Sequence, residues 1–181
     1  PYSLSDNAIY SLCKDREGGI WIGSYFGGIN YYPRFYTNFE KYYPKGAENG
    51  LQGKRVREFC QDNQGILWIG TEDGGLNRFN PKTKTFSFFT PSNAFTNVHG
   101  LCMVGDNLWV GTFSKGVKVV DTRTGAIVKT YLKTESPHSL VDNSVFSICR
   151  TTTGDIYLGT LFGLLRYNKQ LDGFDRIPEL N

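Results

Sequence analysis

The chain has 181 residues, which is the length of one ordinary domain or of part of a larger one. Its 20 basic and 17 acidic side chains give a formal charge of +3 without a basic run, so the sequence does not indicate a protein that binds nucleic acid. Its apolar runs are too short to provide a membrane segment. Its 21 glycines and 15% aromatic residues favour strands and tight turns over helices. A chain that opens at Pro1 without an initiator methionine is expected to be a piece of a longer protein.

The sequence repeats itself four times. Four segments of the type Trp-Ile-Gly-Thr occur along the chain, and their glycines are 47, 41 and 48 residues apart. We call them the repeat glycines: Gly23, Gly70, Gly111 and Gly159. An aromatic residue stands two positions before each of them: Trp21, Trp68, Trp109 and Tyr157. This period divides the chain into four units, at approximately residues 1–46, 47–91, 92–134 and 135–181.

Each unit contains four short runs of β-forming residues separated by Gly, Asp and Asn. The first runs cover residues 8–13, 56–60, 98–102 and 145–149, and the last runs cover residues 38–42, 85–89, 126–131 and 174–177. Four strands in about 45 residues are typical of a β-propeller blade. The spacing of apolar residues that a helical solenoid requires is absent. We therefore predict an all-β fold, with four four-stranded antiparallel blades that form part of a larger propeller.

The run from Asp62 to Pro81 carries the clearest motif: Asp-x-x-Gly-x-x-Trp-Ile-Gly-Thr-x-x-Gly-Gly-Leu-Asn-Arg-Phe-Asn-Pro. This motif resembles the two-component-regulator propeller repeat. The first unit departs from it at residues 31–33, Tyr-Tyr-Pro, and the fourth has Tyr157 in place of Trp and one glycine, Gly163, in place of two. The resemblance covers essentially the whole chain.

The resemblance implies a function for the parent protein. Members of this family form the periplasmic sensor regions of hybrid two-component systems, which are anchored in the inner membrane and detect polysaccharide breakdown products. The resemblance thus implies a sensing piece without catalytic activity, partnered by the remaining blades of its parent and signalling to a downstream histidine kinase. Two alternatives stay open: a protein-interaction propeller without a small ligand, and a propeller enzyme that acts on glycans.

Residues that recur in every repeat are interpreted as scaffold. The aromatic residues before the repeat glycines are predicted to pack as wedges between blades, so truncating one is expected to cost about 3–5 kcal/mol. The four cysteines, Cys13, Cys60, Cys102 and Cys149, end the first run of each unit and are interpreted as small buried apolar residues. A disulfide is not expected, because neighbouring blades lie about 10 Å apart and a disulfide needs Cα atoms within about 7 Å.

The sequence contains no catalytic or metal-binding motif. Nucleophile elbows, phosphate-binding loops and Cys-x-x-Cys pairs are absent, so neither a cofactor nor a metal is expected. The acidic pair Glu72 and Asp73 could serve glycosidic chemistry with a partner such as Glu58, but an exposed acidic pair in a loop is more often solvated surface.

Residues that differ between repeats are the better candidates for binding. In a four-stranded blade, the loop before the first strand and the loop between strands two and three emerge on the same face. Four aromatic side chains on these loops are predicted to stack on sugar faces: Tyr25, Phe26, Phe113 and Phe162. Six polar residues are predicted to orient the ligand: Arg55, Arg57, Glu72, Asp73, His99 and Lys115. The alternative is that these aromatic side chains pack over the blade edges.

Blades bury apolar faces against both neighbours. The outermost blades of this piece would each leave one such face uncovered, so we expect the isolated chain to self-associate through them.

Overall fold

A computed structural model describes residues 3–34, 40, 42, 44, 49–88 and 92–178. The chain divides into two compact units, Pro1–Lys41 and Tyr42–Asn181. All of the regular structure in the described residues is β-strand, apart from one 3-10 helix at Ser92–Phe95. The prediction of an all-β fold is therefore confirmed.

The first unit contains one antiparallel meander, which we call blade 1. Its strands are β1 (Ile9–Lys14), β2 (Ile20–Ser24) and β3 (Ile29–Tyr32), paired in the order β1-β2-β3. The predicted fourth strand, at residues 38–42, lies largely outside the described residues.

The second unit contains three four-stranded antiparallel meanders, each paired in chain order. Blade 2 comprises β4 (Val56–Gln61), β5 (Leu67–Thr71), β6 (Gly75–Asn80) and β7 (Thr85–Phe88). Blade 3 comprises β8 (Val98–Val104), β9 (Asn107–Thr112), β10 (Val117–Asp121) and β11 (Ile127–Tyr131). Blade 4 comprises β12 (Val145–Arg150), β13 (Ile156–Thr160), β14 (Gly163–Asn168) and β15 (Gly173–Arg176). These sheets are the blades that the repeat predicts.

The apolar core of the second unit lies between its blades. One face of blade 3 packs on blade 2, in a cluster that includes Trp68 and Leu108. The other face packs on blade 4, in a cluster that includes Trp109 and Leu165. Blade 3 is therefore apolar on both faces, and its strand β9 is buried from Leu108 to Thr112.

The repeat glycines leave room for the next blade. A Cβ atom on Gly70 would lie 2.5 Å from Cγ1 of Val98, which belongs to the first strand of blade 3. A Cβ atom on Gly111 would lie 2.9 Å from Cγ1 of Val145, which holds the same place in blade 4. Since Val98 and Val145 are both fully buried, these two glycines allow the close approach of consecutive blades.

Each first strand contains a β-bulge at the same position. The register with the second strand shifts between Ile9 and Ser11, and again between Val56 and Glu58. Blades 3 and 4 repeat the shift, between Val98 and Gly100 and between Val145 and Ser147. One residue stands at each shift, and we call these four the bulge residues: Tyr10, Arg57, His99 and Phe146.

The expectation that all four cysteines are buried is wrong. Cys102 is buried, Cys60 is half-buried, and Cys13 and Cys149 are exposed. Cys102 has a blade packed on each side, whereas the described residues include no blade beyond blade 4 to cover Cys149. Burial at this position therefore depends on the neighbouring blades and not on the strand itself.

Candidate ligand-binding surface

The two variable loops of each blade are joined by one recurring hydrogen bond. The backbone N–H two residues after the repeat glycine donates to the carbonyl two residues before the bulge residue. The four bonds are Tyr25 to Ala8 (2.9 Å), Glu72 to Arg55 (2.9 Å), Phe113 to Asn97 (3.0 Å) and Leu161 to Ser144 (3.2 Å). This bond brings the bulge residue of each blade close to the loop residue that follows the second strand.

Side-chain oxygens fix the shape of these loops. The hydroxyl group after the repeat glycine donates to a loop carbonyl in every blade, as Thr71 does to Gly75 at 3.0 Å. The Asp73 carboxylate accepts from the amides of Arg55 and Lys54, at 3.2 and 2.8 Å, and these backbone hydrogen bonds lower the pKa of Asp73. The Asp73 carboxylate therefore holds its own loops together, although the sequence suggests it as a ligand contact.

Blade 2 presents a charged pair. Nε and Nη2 of Arg57 both donate to Oε2 of Glu72, at 3.1 and 2.8 Å. Arg55 approaches the other carboxylate oxygen, Oε1, at 3.6 Å. The Arg57 side chain is 47% exposed, so this pair stays accessible from solvent.

Blades 3 and 4 present an aromatic cluster, formed by His99, Phe113 and Phe146. The His99 ring centroid lies 6.0 Å from that of Phe113 and 5.4 Å from that of Phe146, and the two phenyl centroids are 5.9 Å apart. Phe113 is 45% exposed and Phe146 is 37% exposed. The cluster is therefore a partly open ring surface that two blades share.

The His99 imidazole links this cluster to the charged pair. Burial lowers the pKa of His99 below its usual value of 6.5, the Arg57 cation lowers the pKa further, and the Glu72 carboxylate raises it. The imidazole is therefore neutral at pH 7, and Asn97 lies 2.8 Å from its Nε2. Arg57 and His99 hold the same bulge position in β4 and β8, and these two strands pack side by side, so the charged pair and the aromatic cluster lie on adjacent blades at the same end of the strands.

Phe162 lies on the loop between β13 and β14, and Lys115 lies on the same loop as Phe113, between β9 and β10. Phe162 is exposed, and its carbonyl accepts a 3.2 Å hydrogen bond from Nη2 of Arg176. Lys115 is half-buried, and its amide donates to Oγ1 of Thr112 at 2.9 Å.

Blade 1 presents its own aromatic group. The ring of Tyr10 lies 4.7 Å from that of Tyr25, which lies 4.2 Å from the ring of Phe26. All three side chains are at least half exposed.

Sequence reasoning missed two of the exposed aromatic residues, Tyr10 and Phe146. Both are bulge residues, and a period-two reading of the strand treats a bulge residue as an ordinary strand position. The sequence does carry a signal for these residues. The bulge position stands at a nearly constant distance before the repeat glycine, and its residue type changes from repeat to repeat.

Of the four recurring aromatic residues, Trp68 and Trp109 lie between two sheets. Trp68 is fully buried, and its indole N–H donates to Asp62 at 2.8 Å. Trp109 stacks on Tyr131 of its own blade and meets Tyr167 of blade 4 at 4.8 Å. Trp21 donates to Asp15 at 3.1 Å but remains 45% exposed. Tyr157 is half-buried.

A cleft of about 360 Å³ between blades 2 and 3 lies near the opposite ends of the strands. It is lined by Trp68, Arg78 and the turn at residues 122–125. The Arg78 guanidinium lies 5.7 Å above the Trp68 ring, and Arg123 pairs with Asp121 at 3.5 Å. Both cations therefore already have attractive partners.

The described part of the chain contains no group of three or more His, Cys, Asp or Glu side chains placed to hold a metal ion. Nor does it include a helix with the length and apolarity needed to cross a membrane.

The family of two component regulator propeller repeats matches the chain at residues 3–26 and 50–73. Each match extends from the loop before the first strand to the loop after the second strand, so it includes both variable loops of its blade. The resemblance read from the motif is confirmed at these two segments, which are similar to two component regulator propeller repeats. The description of the matched family names a regulator, in agreement with the prediction that the chain is not an enzyme.

Solved structures similar to the chain include the extracellular domain of BT4673 from B. thetaiotaomicron. Two structures of that domain are described as parts of a putative one component system and of a putative hybrid two component system. They are 27% and 26% identical to the chain, with a TM-score of 0.66 in both cases. Each match covers 96% of this chain and 22% of that chain. The chain thus spans about a fifth of the length of the domain it matches.

Two more distant structures support the fold alone. The extracellular domain of BT3049, a putative hybrid two component system of B. thetaiotaomicron, is 24% identical with a TM-score of 0.54, over 97% of this chain and 29% of that chain. The WD40 β-propeller domain of Doa1 is 15% identical with a TM-score of 0.53, over 90% of this chain and 52% of that chain. No curated protein matches the chain significantly in sequence.

Proposed function

We propose that the chain is part of the extracytoplasmic sensing region of a hybrid two-component sensor. The matched family and the similarity to the extracellular domain of BT4673 support this proposal. By the same reasoning the chain is periplasmic, and its parent is anchored in the inner membrane.

The ligand of this sensing surface is an oligosaccharide. The observation that carries this step is the aromatic cluster of His99, Phe113 and Phe146 beside the Arg57–Glu72 pair. Flat rings offer apolar contact to the faces of a sugar ring, and planar charged groups form hydrogen bonds with its hydroxyls. Tyr25 and Phe26 offer the same ring chemistry on blade 1.

The ligand acts by changing the arrangement of the sensor regions. A ligand that binds one arrangement more tightly than another shifts the population towards it, and the shift is passed through the membrane to the kinase. This chain supplies blades and loops to that process, and the remaining blades of the parent supply the rest of the propeller.

Binding of oligosaccharides to the 181-residue chain tests the proposal. On a glycan array, and then by calorimetry, the chain should bind at least one oligosaccharide, and Phe113→Ala and Tyr25→Ala should each weaken binding by roughly tenfold. Leu171→Ala is the control, because this exposed residue lies in the turn between β14 and β15, at the other end of its blade. Unchanged affinity in both aromatic variants would contradict the sugar-binding role of these rings. Cleavage of the oligosaccharide into shorter products would indicate an enzyme instead.

A further inference from the structure

Each blade presents a pair of side chains at the end of the sheet that carries the two variable loops, and the residue types of this pair differ from blade to blade. One member is the bulge residue, and the other is the residue two positions after the repeat glycine. The pairs are Tyr10 with Tyr25, Arg57 with Glu72, His99 with Phe113, and Phe146 with Leu161. The backbone hydrogen bond that joins the two loops is the same in all four blades, so only the chemistry of the pair changes.

The bulge separates this position from the packing of the blades. An extra residue in one strand leaves the ladder and redirects its side chain. Val98 and Val145, directly before the bulges, are fully buried between blades, whereas His99 and Phe146 reach the surface. The bulge position can therefore change its residue type without disturbing the interblade core.

The two carboxylates on this surface of the second unit are already paired. The Glu72 carboxylate accepts two hydrogen bonds from Arg57 and lies next to Arg55, while Asp73 is held by two backbone amides. Both carboxylates therefore already have partners, while the variable loops on this surface carry the additional cations Lys54 and Lys115. An acidic ligand would compete with Glu72 for the arginines, whereas vicinal hydroxyl groups can donate to the carboxylate and accept from the guanidinium without separating the pair.

We infer that the bulge residues determine which ligand the propeller face accepts, and that the surface of Arg57, Glu72, His99, Phe113 and Phe146 selects a neutral oligosaccharide. One sugar ring lies against the Phe113 and Phe146 rings, stacked on the face of one and in contact with the other, and adjacent hydroxyls bind the Arg57–Glu72 pair. This inference rests on the proposed function, since it names the selectivity of the same surface. Lys115, on the same loop as Phe113, and Lys54, next to Arg55, are further cations, so acidic sugars are the alternative that the experiment must separate.

Exchange of bulge residues between blades provides the test. The position already accepts Tyr, Arg, His and Phe in this protein, so Phe146→Arg and Arg57→Phe each introduce a residue that another blade carries there. The intact chain and both variants are titrated with neutral oligosaccharides and with oligosaccharides of equal length that contain uronate or sulfate. Leu171→Ala serves as the control, and the circular dichroism of each variant is compared with that of the unchanged chain.

The unchanged chain should bind neutral oligosaccharides at least tenfold more tightly than acidic ones. Phe146→Arg should weaken neutral binding by roughly tenfold and raise the relative affinity for acidic ligands, because it replaces a stacking ring with a cation. Arg57→Phe should also weaken neutral binding, because it removes the charged pair. The control should bind as the unchanged chain does.

The outcomes separate the two proposals. Binding that is unaffected by both exchanges would overturn the role of the bulge residues and leave the sensing function intact. Tighter binding of acidic ligands, lost in Lys115→Ala, would overturn the neutral selectivity alone. Absence of binding to every oligosaccharide would overturn the sugar-sensing function and the inference together.

Discussion

At the scale of single residues, equivalent side chains differ in burial from blade to blade. Trp68 and Trp21 hold the same place in their repeats, and both donate an indole hydrogen bond to the Asp six residues earlier. Trp68 is fully buried among apolar residues of blades 2 and 3, whereas Trp21 is 45% exposed. The free energy that each tryptophan contributes therefore depends on what packs against it.

Trp68→Ala should lower the free energy of unfolding by about 3–5 kcal/mol, because it removes a large buried side chain and leaves the buried Asp62 without one of its donors. Trp21→Ala is the matched control and should cost clearly less. Urea unfolding followed by circular dichroism measures both. Equal losses in the two variants would contradict the role of burial at this position.

The four cysteines provide a second comparison. The pKa of the Cys102 thiol is raised to about 11, mainly by burial and to a smaller extent by the neighbouring Cys60 and Cys149. Because the thiolate is the reactive form, Cys102 should be alkylated by iodoacetamide at pH 8 more than tenfold more slowly than the exposed Cys13 and Cys149. Mass spectrometry of a time course measures these rates, and all four should react alike in denaturant. Rapid alkylation of Cys102 in the folded chain would show that blades 2 to 4 open more readily than their packing indicates.

At the scale of the elements, consecutive first strands approach each other closely in the second unit. A Cβ atom on Gly100, in blade 3, would lie 2.9 Å from the amide nitrogen of Ile148 and 3.1 Å from Cα of Ser147, in blade 4. Both contacts are to backbone atoms, which cannot rotate away. A glycine at this position therefore sets the distance between β8 and β12.

Gly100→Ala should lower the free energy of unfolding by roughly 1–3 kcal/mol, because the added methyl group forces these two strands apart. Ser147→Ala, at the equivalent position of blade 4, is the control and should have little effect, since its side chain is exposed. Thermal unfolding of both variants measures the difference. A Gly100→Ala chain as stable as the original would mean that the two strands separate without loss of packing.

At the scale of the whole molecule, exposed apolar residues on the first strands point to association. Leu101 and Ile148 are buried against the preceding blade, whereas Phe59 and Leu12, at the equivalent positions, are 56% and 68% exposed. Exposed apolar surface of this kind marks an interface.

The 181-residue chain should therefore self-associate as its concentration rises. The double variant Leu12→Ser and Phe59→Ser should shift the equilibrium towards the monomer, because it makes both exposed positions polar. Light scattering over a hundredfold concentration range measures the change, with Leu171→Ala as the control for loss of an exposed leucine. A monomer at the highest concentration of the unchanged chain would contradict the prediction.

The repeat made much of the fold predictable. The first three strands of every blade lie where the repeat places them, and the last strands of blades 2 to 4 start or end within one residue of their predicted ranges. The short helix at Ser92–Phe95 was not predicted, although Phe95 is almost fully buried beside Trp68. This helix lies in a connection that no other repeat shares, so the period carries no information about it.

The candidate surface was predictable only in part. The sequence indicates which loops share a face, and it identifies Phe113, His99, Arg57 and Glu72, which the fold brings to the same end of adjacent blades. Their role in binding remains a prediction. Tyr10 and Phe146 were missed, because a bulge is defined by the pairing between two strands. The pattern of apolar and polar residues within one strand does not reveal it.

The sequence by itself determined the four-fold repeat, the strands of each blade and the glycines and tryptophans that recur, because these features depend on local propensity and on a fixed period. Only the tertiary structure decided which of the equivalent residues are buried and which side chains meet across blades. His99 and Phe146, which are 47 residues apart along the chain, form one cluster because β8 and β12 pack side by side. A repeat fixes the position of a residue within its blade, but the neighbouring blade determines the surroundings of that residue.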